Sequence, residues 1–201
     1  MANKNESLTA LKFALCAALL LTCPKFTSAQ IVVMKNPEAN VVGVVKAGKS
    51  PSAVVTNPVT NKIYVANRGS GSVTVLDGNT DVATTVKVGW DPRAMAVNPV
   101  TNKIYVACGR KDVWIIDGAT GASTKVATGK SGNAVAVNPI TNKIYVTNED
   151  NKSVTVIDGR TNEITTVTVG PEPMAVAVNS VTNKIYVASQ NSYKKIGRAH
   201  V

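Results

Sequence analysis

Apolar and polar positions along this chain alternate in short runs. Segments of four to six residues rich in Val, Ile, Thr, Ala or Tyr recur along it, each bounded by Gly, Pro, Asn or Asp. Between residues 94 and 128 they fall at 94–98, 103–107, 112–117 and 124–128. No window holds apolar residues at helical spacing over three turns. The pattern predicts strands with turn signals every eight to twelve residues, an all-β chain.

The runs are copies of one unit. TNKIYV begins at Thr60, Thr101, Thr141 and Thr182, at spacings of 41, 40 and 41 residues. A fixed period of that length means one supersecondary unit repeated in series. Three complete units are expected at 51–89, 92–129 and 132–170, with partial ones at 31–48 and 173–190. Asn57-Pro58-Val59-Thr60-Asn61 supplies the first turn, where proline presets φ and asparagine bonds its own backbone or enters the left-handed region. Asp77-Gly78, Asp117-Gly118 and Asp158-Gly159 open the turn from third to fourth strand, where glycine is expected to supply a positive φ. Gly48, Gly89, Gly129 and Gly170 mark the exit of the fourth strand.

Within KIYV, Ile63 and Val65 point one way and Tyr64 the other, so both faces of the sheet need cover. Four-stranded sheets stacked radially about 10 Å apart satisfy this. The tyrosine rings are then expected between sheets, with each hydroxyl reaching a partner at the rim. A linear β-solenoid is the competing architecture.

The sequences at 63–67 (IYVAN), 144–148 (IYVTN), 154–159 (VTVIDG) and 165–170 (TTVTVG) resemble the YVTN-type β-propeller repeat of exported bacterial proteins and, more distantly, archaeal surface-layer proteins. The resemblance spans residues 31–190. It implies four-stranded antiparallel blades of about 40 residues, commonly seven to a ring. About four blades' worth is present, which predicts a truncated larger ring whose N-terminal strands complete its last blade. It also implies a binding or surface module; the active-site residues of lactonase-type propellers find no matching motif here.

Both ends change the chemistry. Residues 1–29 read as a secretory signal: Lys4 and Lys12, an apolar stretch of ten at 13–22, and small residues up to Ala29. That stretch is about half of what spans a membrane. Cleavage near Ala29 predicts export to the periplasm, cell surface or medium, with no transmembrane segment in the mature chain. At the other end, residues 196–201 (IGRAHV) match an in-frame translation of ATC GGA AGA GCA CAC GTC, the start of a common sequencing adapter. Residues 195–201 are therefore expected to be non-native; a stop codon after Val201 at the locus would overturn this. Cys16, Cys23 and His200 drop out, Cys108 remains, and the charge falls from +10 to about +6. One thiol gives no disulfide framework. The balance is mildly basic, so nucleic acid or another polyanion is a less favoured partner than protein or glycan.

Repeats serve as their own controls. The turns NPVTNK, NPVTNK, NPITNK and NSVTNK and the Asp-Gly turns share one rim and hardly vary. The opposite rim carries unlike loops: GKSP, GWDP, GKSG and GPEP, and NRGSG, CGRK and NEDNK. Positions that differ between copies do not serve the repeat, and loops on a rigid scaffold carry recognition. The candidate binding rim is Arg68, Trp90, Asp91, Arg93, Arg110, Lys111, Lys130 and Lys152. Lys62, Lys103, Lys143 and Lys184 form a second, basic ring on the constant rim, whose functional reading is a salt-sensitive polyanion contact. The turn aspartates read as caps, Trp114 as filler between blades, and Cys108 as a thiol with no base beside it. No cofactor, metal or catalytic residue is expected, and an enzyme of lactonase type would need a site in further blades.

Overall fold

The computed structural model describes residues 29–35, 40–190 and 197–199. Residues 1–28 of the expected signal at 1–29, with Cys16 and Cys23, lie outside them, as do Lys195, Ile196, His200 and Val201. The described residues form strands and turns and no helix. Three sheets have four strands in meander order. The first is β3 (Pro51–Asn57), β4 (Lys62–Asn67), β5 (Ser72–Asp77) and β6 (Ala83–Lys87). The second is β7 (Pro92–Asn98), β8 (Lys103–Cys108), β9 (Asp112–Asp117) and β10 (Ser123–Ala127). The third is β11 (Gly132–Asn138), β12 (Lys143–Asn148), β13 (Ser153–Asp158) and β14 (Ile164–Thr168). Before them β1 (Gln30–Lys35) pairs with β2 (Asn40–Lys46), and after them β15 (Pro173–Asn179) pairs with β16 (Lys184–Ser189). Gly197–Ala199 forms β17 along β16, the place held in the complete sheets by the third strand.

Every pairing is antiparallel, and the register sets two rims. Asn57, Lys62 and Asp77 lie abreast at one end of the first complete sheet; Pro51, Asn67, Ser72 and Lys87 lie abreast at the other. The first strands stand side by side, β3 on β7, β7 on β11 and β11 on β15. This is the blade arrangement of a β-propeller. Among the described residues the series stays open, since β15 does not return to β3.

Strand period two decides which core each residue joins. Ile104, Val106 and Ile116 face the preceding sheet, where they pack with Tyr64, Ala66 and Val73. Their neighbours Tyr105, Ala107, Val113 and Ile115 face the following sheet and pack with Ile144, Val146 and Ile157. Tyr145, Val154 and Val156 repeat the arrangement against Ile185 and Val187. The blade carries two apolar faces because it belongs to two cores. Tyr64, Tyr105 and Tyr145 are buried as expected, but the hydroxyls of Tyr64 and Tyr105 have no partner at the rim. Burial pushes all three up from the ordinary tyrosine value, Tyr105 to about 12.

Candidate binding rim

The constant rim is occupied with joining blades. The buried Asn57 donates through Nδ2 to Asn102 Oδ1 of the next sheet at 2.9 Å; Asn98 does the same to Asn142 and Asn138 to Asn183. Each of these donors also accepts on Oδ1 from the backbone N–H two residues on, closing the turn. Their partners Asn102, Asn142 and Asn183 sit at φ of 51°, 53° and 49°, the left-handed conformation asparagine tolerates. Lys62 Nζ donates to Gly118 O at 2.7 Å and Lys103 Nζ to Gly159 O at 3.2 Å, again one sheet onward. Two of the four ring lysines thus hold their neighbour's turn.

The Asp-Gly turns correct one expectation. Gly78, Gly118 and Gly159 do not take a positive φ; the left-handed residues of these turns are Asp81, Gly121 and Asn162, three further on. What the glycines allow is close approach. A Cβ at Gly118 would lie 2.3 Å from Asn102 Oδ1 and 2.7 Å from Asn102 O, and Gly78 and Gly159 meet Asn61 and Asn142 in the same way. The preceding aspartate caps the turn, Asp117 Oδ1 accepting from the N–H groups of Ala119 and Thr120 at 2.9 Å each. Such bonds hold the carboxyls of Asp77, Asp117 and Asp158 below the usual value.

On the opposite rim the structure brings half of the candidates together. Asp91 is mostly buried and accepts from Arg68 Nε on Oδ1 and from Arg93 Nε on Oδ2, the latter at 2.8 Å. Burial raises the Asp91 carboxyl, but the two guanidiniums outweigh it and leave it below its ordinary value. Arg93 Nη1 donates onward to Asn133 Oδ1 at 2.6 Å, and Asn133 donates to Glu149 Oε2. The network therefore crosses three sheets. Trp90, next to Asp91, is 63% exposed. Arg110, Lys111 and Lys130 line a second feature, an open cleft of about 520 Å³ that also includes Asp112, Ser131 and Asp150. Lys152 is exposed, at φ 50° in the loop of the third complete sheet, and lines neither group.

Two features of the sites escaped the sequence. Asn67 and Asn148, at the ends of β4 and β12, are buried donors to Thr74 Oγ1 at 2.9 Å and Thr155 Oγ1 at 2.8 Å. In the middle sheet Cys108 and Trp114 replace this polar pair. Cys108 is buried and free, its thiol pushed up to about 12 by burial, and the Trp114 Nε1–H has no partner. The second feature is an apolar row on the constant rim: Val59, Val100, Ile140 and Val181 are each more than 70% exposed. Among the described residues no three of His, Cys, Asp and Glu stand together to hold a metal. No helix among them is long and apolar enough to cross a membrane.

Fold and rims together define a β-propeller-type repeat protein with one structural and one variable rim. Hydrazine synthase of Kuenenia stuttgartiensis, which contains a β-propeller, superposes with a TM-score of 0.66 at 20% identity over 73% of this chain. The chain spans 44% of that protein's length. No family model and no curated protein matches the sequence.

Proposed function

We infer that this is an exported, non-enzymatic binding or scaffold propeller of the YVTN type, acting through its variable rim on a protein or glycan outside the cytoplasm. One observation carries the reading: the constant rim spends its asparagines and two of its lysines on bonds between blades, while the opposite rim departs from copy to copy and exposes Trp90. Trp90, which takes part in none of these bonds, is free to meet a partner. The Arg68–Asp91–Arg93 network fixes its loop in advance, which lowers the ordering cost of binding.

The test is capture from envelope extracts and a glycan array, using the full chain. Binding is expected to fall on Trp90→Ala with Arg93→Ala and to persist on Val100→Ser with Ile140→Ser at the constant rim. The reverse pattern would move the site to the other face.

A further inference from the structure

The middle complete sheet, β7 to β10, is where the repeat is broken, and its departures meet at one place. Its spacing to the next copy is 40 residues instead of 41. The missing residue lies in the loop from second to third strand, where Gly109-Arg110-Lys111 stands for Arg68-Gly69-Ser70-Gly71 and Glu149-Asp150-Asn151-Lys152. In the neighbouring sheets that loop caps the one before it. Ser70 Oγ accepts from the Lys49 N–H at 3.2 Å, and Asn151 Oδ1 accepts from the Lys130 N–H at 2.6 Å. The short loop has no such side chain, and among the described residues the N–H of Trp90, the equivalent of Lys49 and Lys130, has no side-chain cap of this kind. The same loop is held on both flanks by backbone: Gly109 N–H donates to Asp91 O at 2.9 Å and Ser131 N–H to Arg110 O at 3.0 Å. A side chain at Gly109 would collide with Asp91 Oδ2 and Arg93 Nε, so the loop is seated directly on the ion network. Trp90, the short loop and the cationic cleft beside Lys130 thus form one strip.

Resting on the binding reading above, we propose that this strip binds an acidic polysaccharide, with Trp90 as the stacking platform and the cleft as the seat of a sugar carboxylate. Protein hot spots sit inside a desolvated apolar patch. The exposed row of Val59, Val100, Ile140 and Val181, which would suit such a patch, lies on the opposite rim. An exposed indole next in the chain to Asp91, whose carboxylate holds two guanidiniums, suits the C–H face and hydroxyls of a sugar ring. Arg110, Lys111 and Lys130 outnumber Asp112 and Asp150 in the cleft, which selects for an anion, and the guanidinium of Arg110 matches a carboxylate in geometry.

Tryptophan fluorescence and calorimetry of the full chain with polygalacturonate, dextran and dextran sulfate test this. Saturable binding of polygalacturonate is expected, weakened about tenfold or more by Trp90→Ala and by Arg110→Ala with Lys130→Ala. Trp90→Lys, the residue two other copies carry there, serves as the variant the fold already accepts. Equal binding of dextran, binding of dextran sulfate without polygalacturonate, or indifference to these substitutions each overturns the assignment. If no saccharide binds but a protein partner is lost with Trp90, the ligand class fails while the rim stands. If neither depends on Trp90, both fail.

Discussion

Two glycines of one turn separate two physical roles. Gly121 sits at φ 74° with nothing within 4 Å of a Cβ, so its role is conformational. Gly118 has no need of a positive φ, and its role is to let Asn102 come close. Gly121→Asn should therefore be nearly neutral, because Asn162 occupies the same position at φ 62° in the next copy. Gly118→Asn and Gly118→Ala should each cost about 1–3 kcal/mol, through collision with Asn102 and loss of the Gly118 N–H bond to Asn102 O. Urea denaturation of the three variants distinguishes the roles; a stable Gly118→Asn would restore the conformational explanation. The sequence could not make this distinction. Glycine is written the same way whether the backbone needs its φ or the neighbour needs its space, and Asn102 belongs to a different turn.

At the scale of the element, strands and turns were legible almost to the residue. Segments read at 103–107 and 112–117 appear as Lys103–Cys108 and Asp112–Asp117, because β-branched runs ended by Asn, Asp and Gly leave few alternatives. The bonds between blades were not legible. Lys62 to Gly118 and Asn57 to Asn102 link residues in different copies, and only the packing of sheet on sheet selects those partners. Of the candidate rim, the bonds of Arg68 to Asp91 and of Arg93 to Asn133 have the same origin. The internal comparison of copies did point to the rim, since it needs no geometry. It noted Cys108 and Trp114 only one by one; the structure joins them as one exchange for the Asn–Thr pair seen at Asn67–Thr74 and Asn148–Thr155. Cys108→Asn alone should destabilise by about 1–3 kcal/mol, burying an amide that faces an indole. Adding Trp114→Thr should recover part of that loss, by restoring the acceptor. A double-mutant cycle in guanidinium is expected to give a favourable coupling of about 1 kcal/mol or more. Strict additivity would mean that the two positions changed independently.

Across the whole molecule, stability is set by how many neighbours each sheet has. Ile104 and Tyr105 are adjacent in one strand yet serve cores on opposite sides, so the sheets from β7 to β14 are each clamped twice. The flanking sheets are clamped less completely: Val54 in β3 is 62% exposed and Met174 in β15 is 40% exposed, whereas Met95, the equivalent of Val54 in β7, is 7% exposed. In a linear array with nearest-neighbour coupling, opening begins where one interface is lost and is hardest where two must be lost together. Native-state hydrogen exchange should therefore show the greatest protection in β8, β9, β12 and β13, with β3 and β15 exchanging sooner. Ile144→Ala, which damages the core shared by the two best-protected sheets, should lower protection in β8 and β12 together and leave β4 less affected. Uniform protection from β3 to β16, collapsing as one unit on that substitution, would instead indicate a closed ring in solution, in which every sheet has two neighbours.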